Sequence, residues 1–391
     1  MLDIDGTLRP WFDRLAADVP GLELFDAHTH LGSNDPDGFR QAPEELLEAL
    51  DSIGARALVF PMHEPSGYPP ANDMVLAAAA ASGGRLQALC RVDPRDRAVA
   101  EAHRCLDAGA RGIKLHPRAE RFDLSEPAVR DLVALAHERG APVLIHAGRG
   151  IPALGQDTVR LAGEFPEARM ILAHCAISDL AWLWNVLPDH PNLFVDTAWW
   201  APADIIALFA LAPPGNILWA SDSPYGRPLV AATQSLRCAV QAGLSAEQIR
   251  GVMGGQVARL LAGEEPADLG PPPGQPARPY DVLLERVVTH LTSTMARAFV
   301  RAEYDEPLAL ARLACAVGEQ GPQAEVCSRV LELLDLYEEH LAPPTDGRPI
   351  PPAARLIVFA LIVARTPDAP LPAGAGAPPP TRDHAEGAEA S

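Results

Sequence analysis

The chain has 391 residues, 48% of them hydrophobic, and a formal net charge of −19 at pH 7. That length accommodates one large domain of about 250 residues plus an accessory piece, with ample apolar material for a core. The charge excludes a nucleic-acid surface, which would have to be basic, and disfavours an anionic membrane surface.

The cysteines at 90, 105, 175, 238, 315 and 327 contain no Cys-x-x-Cys pair and read as reduced core residues. The N-terminus lacks a basic region followed by an apolar stretch, so no signal peptide is expected. The longest apolar run, 356–364, is too short for a bilayer of ~30 Å and reads as a buried helix. A cytoplasmic protein without a membrane partner is the expectation. Of the 32 basic residues, 31 are arginine and one is lysine, Lys114. A position that resists exchange to arginine is a candidate for chemistry that needs a neutral amine, against the plain alternative of chance survival.

Residues 3–8 (DIDGTL) match the nucleophile loop of haloacid-dehalogenase-type phosphatases, but only two residues precede them where that loop needs a buried strand. They read as a coincidence within an N-terminal lead-in, 1–24, whose Trp11, Leu15 and Val19 stand at helical spacing over 9–24. From Phe25 the chain becomes regular. Apolar runs suited to buried parallel strands recur at 25–30, 57–62, 86–93, 112–117, 142–148, 169–175, 192–198 and 217–224. Helical patterns fill most intervals, the clearest from Ser125 as N-cap, with Pro127 in the first turn, to Gly140 just past the end. Eight strands alternating with helices over 25–263 predict an α/β fold, a (β/α)8 TIM barrel. An open doubly wound sheet is the alternative, but no glycine-rich phosphate loop follows the first strand.

The first strand, FDAHTH, alternates so that Asp26, His28 and His30 share a face, with the two imidazoles roughly 6.5–7 Å apart along the backbone. Further titratable residues fall at later strand ends: Lys114 and His116 on the fourth, His146 on the fifth, His174 on the sixth, Asp222 on the eighth. A lone strand histidine is usually a satisfied core residue. Several converging on the C-terminal mouth of a barrel, where active sites of this fold lie, predict a site for a divalent metal.

The segments FDAHTHLG, GIKLHP, VLIHAG, ILAHCA and ILWASDSPYG resemble the amidohydrolase superfamily over 25–262. More narrowly, they resemble the amidohydrolase-related family of metal-dependent hydrolases and aminocarboxymuconate-semialdehyde decarboxylase-like enzymes. TatD-type deoxyribonucleases share the first motif but usually carry a glutamate on the fourth strand, which GIKLHP lacks. The family's asparagine in the last helix is replaced here by Gln256.

The resemblance implies that His28, His30, His146 and Asp222 ligate one divalent ion, zinc being the first expectation, with His174 beside the activated water or as a further ligand. Such an ion lowers the pKa of bound water from 15.7 to about 7. Asp222 can then accept a proton and pass it on, His174 can orient the nucleophile or polarise a carbonyl, and Lys114 completes the catalytic set. In binuclear relatives a lysine at this place is carboxylated and bridges two ions; in mononuclear ones it binds substrate or is structural, and both roles stay open. His116, Arg118, Arg149 and Trp199 are the candidate substrate-binding residues. Glu64, Arg91 and Arg227 also follow strands, and His63 can line the mouth. Arginines here can clamp a carboxylate or tie loops together, while Asp196, Trp199 and Trp200 can wall a planar substrate or pack a loop.

Residues 264–280 are rich in Pro and Gly and read as a linker, 281–365 return to helical spacing, and 366–391 read as a disordered tail. The stripe Cys327, Val330, Leu331 and Leu334 needs a partner: the barrel, a small bundle or a second copy in a homodimer. The expected function is metal-dependent hydrolysis of an amide, ester or lactone in a small, anionic substrate. Decarboxylation of an aromatic or unsaturated carboxylate is the alternative, and a metal-free binding scaffold a second.

Overall fold

A computed structural model describes residues 3–148, 150–274, 281–341 and 353–372. Eight parallel strands follow one another around a ring in sequence order: β1 (Phe25–Leu31), β2 (Arg56–Pro61), β3 (Leu86–Arg91), β4 (Gly112–Leu115), β5 (Pro142–Ile145), β6 (Arg169–Leu172), β7 (Leu193–Asp196) and β8 (Ile217–Leu218). The chain forms the expected (β/α)8 barrel. β8 is only two residues long, because beyond Leu218 the chain runs beside β1 through single hydrogen bonds rather than a regular ladder. Ala27 N donates to Trp219 O at 2.9 Å, Asp222 N to His28 O at 2.9 Å and His30 N to Ser223 O at 2.8 Å, and these close the ring.

The strands read as continuous apolar runs because both faces are covered. Outward-facing Ala57, Val59, Ile113, Leu115, Val143 and Ile145 pack under the surrounding helices. Inward-facing Leu58, Phe60, Leu89, Leu144, Ile171, Phe194 and Leu218 form a separate inner cluster. Val257 and Leu260, from the helix Gln256–Ala262, join it. Gln256 donates to Gly215 O at 2.6 Å and accepts from Ala267 N at 3.0 Å, so it ties this helix to the start of the linker.

Local signals set the helix ends. The helix expected from Ser125 spans Pro127–Arg139, with Glu126 rather than Ser125 at the N-cap. Gly140 takes the left-handed conformation (φ 58°) that ends it, donating its amide to Ala136 O and His137 O. The lead-in helix starts earlier than its apolar spacing indicates, at Ile4, and runs to Ala16. Asp3 accepts from Gly6 N at 2.9 Å as its cap, so DIDG is a helix start. Asp5 engages Arg227, whose Nε lies 2.9 Å from Asp5 Oδ1.

The region after the linker packs on the barrel. Its helices are Val282–Phe299, Asp305–Ala314, Ala324–Glu339 and Ala354–Arg365. The last is buried almost all round, held by Val282–Phe299 and Ala324–Glu339 on one side and by the barrel helices Pro202–Leu211 and Pro228–Ala242 on the other. This covers Cys327, Val330 and Leu334. Trp11 meets Phe359 edge-on at 5.2 Å. The chain stays packed past the expected start of the tail: Arg237 donates to Thr366 Oγ1 and Thr366 O, each at 2.8 Å, and to Pro370 O at 3.0 Å. Residues 373–391 lie outside the described residues. No described helix is long and apolar enough to cross a membrane.

Phe359 is fully buried where the last helix meets the lead-in helix. Phe359→Ala should lower the free energy of unfolding by about 3–5 kcal/mol, read from urea transitions followed by circular dichroism.

Candidate metal centre

Along four of the eight strands the inner face becomes ionisable within one step of the pleat. Leu89 is followed two residues later by Arg91, Gly112 by Lys114, Leu144 by His146 and Phe194 by Asp196. Alternate residues face the same way, so these groups form a polar ring above an apolar floor. Phe60 is the top of that floor, its ring 5.1 Å from His28, 4.5 Å from His30 and 4.7 Å from Lys114 Nζ.

β1 breaks the expected alternation. Its pairing with β2 slips between Asp26 and Thr29, a bulge. Phe25 and Ala27 join the inner cluster, yet His28 and His30 also lie over Phe60, so Asp26 does not share their role. Its Oδ1 accepts from His28 N at 3.0 Å and Ser221 N at 2.9 Å, joining β1 to the closing segment. Burial raises its carboxyl to about 7.

The bulge brings His28 and His30 together with Asp222. His28 Nε2 lies 3.2 Å from His30 Nε2 and 3.2 Å from Asp222 Oδ1, and His30 Nε2 lies 3.1 Å from the same oxygen. Ligands bound at about 2.0–2.2 Å with tetrahedral to octahedral angles stand about 2.8–3.6 Å apart, so this triangle suits one small divalent cation. Among the described residues it is the cluster of three ligand atoms fit for an ion. The protonation states agree. His28 Nδ1 donates to Asp196 Oδ2 at 2.8 Å, which leaves a lone pair on Nε2. Burial, and next the positive charge of Lys114 for His28, hold both imidazoles well below their usual range, in the neutral form a metal needs.

Two residues of the mouth have left-handed backbones that non-glycine residues seldom adopt. Asp222 has φ 59°, and His174, Cys175 and Ala176 follow one another at 58°, 56° and 47°. Asp196 holds the second of these turns. Its Oδ1 accepts from His174 N at 2.8 Å and Ala198 N at 3.0 Å, while its Oδ2 takes His28. Sequence reading set Asp196 beside the tryptophans as a possible wall; it is instead fully buried beneath the histidines. The available signal was its place on the inner face, two residues after Phe194.

His146 and His174 stand beside the triangle as a pair. His174 Nδ1 donates to Ala198 O at 2.7 Å, so its Nε2 accepts from His146 Nδ1 at 2.9 Å. His146 Nε2 is then a buried lone pair with no hydrogen-bond partner. His116 stacks on His146 at 3.7 Å and accepts from Ala119 N at 3.2 Å, which fixes the turn after β4. His174 Nδ1 is 4.0 Å from Asp222 Oδ2. Burial pushes the Asp222 carboxyl well up, against the pull of Lys114. Lys114 is wholly buried, its Nζ has no hydrogen-bond partner, and burial with Arg91 nearby lowers it to about 7.

The mouth residues divide. Arg118 and His63 line a cavity of about 410 Å³ above the triangle, and Trp199 lines an adjoining one, its Nε1 bonded to Asp204 Oδ2 at 2.7 Å. Arg91 is committed to structure, donating to Glu120 Oε1 at 2.7 Å and Pro61 O at 3.3 Å, while Tyr68 also donates to Glu120. Arg227 is held by Asp5, and Glu64 accepts from Asn34 at 2.6 Å. Arg149 lies outside the described residues.

No curated protein matches the sequence. Among solved structures, an uncharacterized TIM-barrel protein from Bordetella bronchiseptica is 18% identical, with a TM-score of 0.50 over 62% of this chain and 99% of that one. Also similar are 5-carboxyvanillate decarboxylase from Sphingomonas paucimobilis (18% identical, TM-score 0.49, 62% and 99% covered) and 4-oxalomesaconate hydratase from Rhodopseudomonas palustris (16%, 0.47, 61% and 96%). At such identities the likeness is one of fold. The amidohydrolase family model matches residues 25–262, the stretch from the first residue of β1 to the end of the helix that closes the barrel floor. The chain belongs to the amidohydrolase family.

Proposed function

We propose that this protein is a metal-dependent hydrolase of an amide, ester or lactone bond in a small anionic molecule, with zinc as the ion. The observation that supports this reading most directly is the triangle of His28 Nε2, His30 Nε2 and Asp222 Oδ1, with sides of 3.1–3.2 Å. His28, His30 and Asp222 would hold the ion, and His146 offers a further buried lone pair at Nε2. A bound divalent ion supplies Lewis acidity and makes water acidic enough to deprotonate near neutral pH.

The chain's own groups do the rest. Asp222 Oδ2, on the side of His174, takes the proton from the attacking water and returns it to the leaving group. Burial raises the proton affinity of this carboxylate, which suits a base that must hold a proton for part of the cycle. Asp196 fixes the His28 tautomer, and Ala198 O fixes that of His174. Arg118 at the mouth binds a substrate carboxylate. Burial, with Arg91 nearby, lowers the Lys114 ammonium to about 7, which eases loss of its proton. As a neutral amine Lys114 could take up CO2 as a carbamate, with release of a proton, and would then help to hold a second ion; as an ammonium it would bind an anionic substrate.

Elemental analysis of protein purified without chelator should find about one ion per chain, lost when His28→Ala and His30→Ala are combined. Two ions in the parent, falling to one in Lys114→Ala, would assign the lysine its bridging role. Asp196→Asn removes the acceptor that orients His28 and should weaken metal binding about 10–100-fold, read by competition with a chromogenic chelator. A panel of amides, esters and lactones turned over in ¹⁸O-water should give product carrying one ¹⁸O. Turnover that releases CO2 without incorporating ¹⁸O would overturn hydrolysis in favour of decarboxylation of an aromatic or unsaturated carboxylate, which the same groups can serve.

A further inference from the structure

Asp222, one corner of the triangle, stands where two chambers of different chemistry meet; His28 and His30 face the first alone. His146, His174, Asp222, Arg118 and Tyr225 line both. The first chamber is polar: Lys114, Arg118 and Arg121 line it, and so do Asp35 and Asp37. The second has a volume of about 500 Å³, within the range of about 300–1,000 Å³ usual for small-molecule sites, and its walls are largely apolar. Trp199 and Trp200 form one wall, and Phe39 with Tyr225 another, their rings 4.7 Å apart. The remaining wall comes from outside the barrel: Met295 and Phe299 at the end of the helix Val282–Phe299, and Val358 in the helix Ala354–Arg365.

These walls are fixed in place. Trp200 packs against Phe299 at 5.2 Å, and Gln234 Nε2 donates to the carbonyls of Trp199 and Trp200, each at 3.2 Å. Trp199 is anchored by its bond to Asp204 and lies 6.3 Å from the ring of His174. A preformed apolar chamber joined to a reactive centre favours occupants that release its water, and rigid walls lose little entropy on binding.

We infer that the C-terminal helices complete the active site, and that the substrate is amphiphilic. Its reactive group sits at the triangle, its anionic group reaches the polar chamber toward Arg118, and an aryl or alkyl group fills the chamber between the tryptophans and Met295, Phe299 and Val358. This inference rests on the proposed metal reading for the position of the reactive group, but the chamber can be tested apart from it. Selectivity for the apolar group is then assigned to residues beyond the 25–262 family region.

The test titrates the full, zinc-loaded chain with butanoate, hexanoate and octanoate by calorimetry, with the matching alkanols as controls. Metal content is measured on the same samples. Affinity should rise about fourfold per added methylene, and each alkanoate should bind more tightly than its alkanol. Val358→Trp fills the chamber and should weaken octanoate at least tenfold while leaving butanoate and metal content unchanged. Phe299→Ala, which removes a half-buried wall residue without adding bulk, should also flatten the series. A flat series in metal-loaded parent protein would overturn the inference, as would a steep series that neither variant alters. Protein that holds no ion yet shows the steep, variant-sensitive series would sustain the chamber and overturn the metal reading alone.

Discussion

One buried carboxylate organises the centre of this molecule. Asp196, at the end of β7, accepts the Nδ1 proton of His28 with one oxygen and the backbone amides of His174 and Ala198 with the other. Burial alone would push such a group toward its neutral form. Three donors and the nearby Lys114 act the other way and favour the anion, and the carboxylate in turn sets which nitrogen of His28 faces the ligand triangle. The same residue pins the left-handed turn that brings His174 beside His146. Two separate imidazoles, from β1 and from the end of β6, therefore depend on a residue that itself lies outside the ligand triangle.

The barrel was legible because parallel strands covered on both faces leave short, uniformly apolar runs, and because the inner face becomes ionisable at the same depth on several strands. Lys114, His146 and Asp222 could be assigned to the mouth from that pattern alone. The bulge in β1 could not, since it replaces the strict alternation that FDAHTH displays. Parity alone groups Asp26 with the histidines, whereas the slip in register leaves it holding the closing segment through Ser221. The left-handed turns at His174 and Asp222 carry no glycine to announce them; only the surrounding hydrogen bonds impose them.

Charged residues after the strands were ambiguous for a related reason. Arg91 and Arg227, like Arg118, read as cations near strand ends, but their partners, Glu120 and Asp5, lie 29 and 222 residues away in the chain. Distance in sequence hides such pairs. It also hides the packing of the last helix: an apolar stretch such as 354–365 shows that a surface must be covered, and only the tertiary arrangement shows that the cover consists of two barrel helices and two appended ones.

That packing has an evolutionary consequence. The strand ends that carry the chemistry are constrained by mutual hydrogen bonds, so almost any change there disturbs several groups at once. Among the described residues, the appended helices meet the second chamber through Met295, Phe299, Ala354, Arg355 and Val358. On the inference drawn above, substitutions at those positions would reshape what the site accepts while the hydrogen-bonded strand ends stay intact, so the barrel is a conservative engine and the appendage an exchangeable filter.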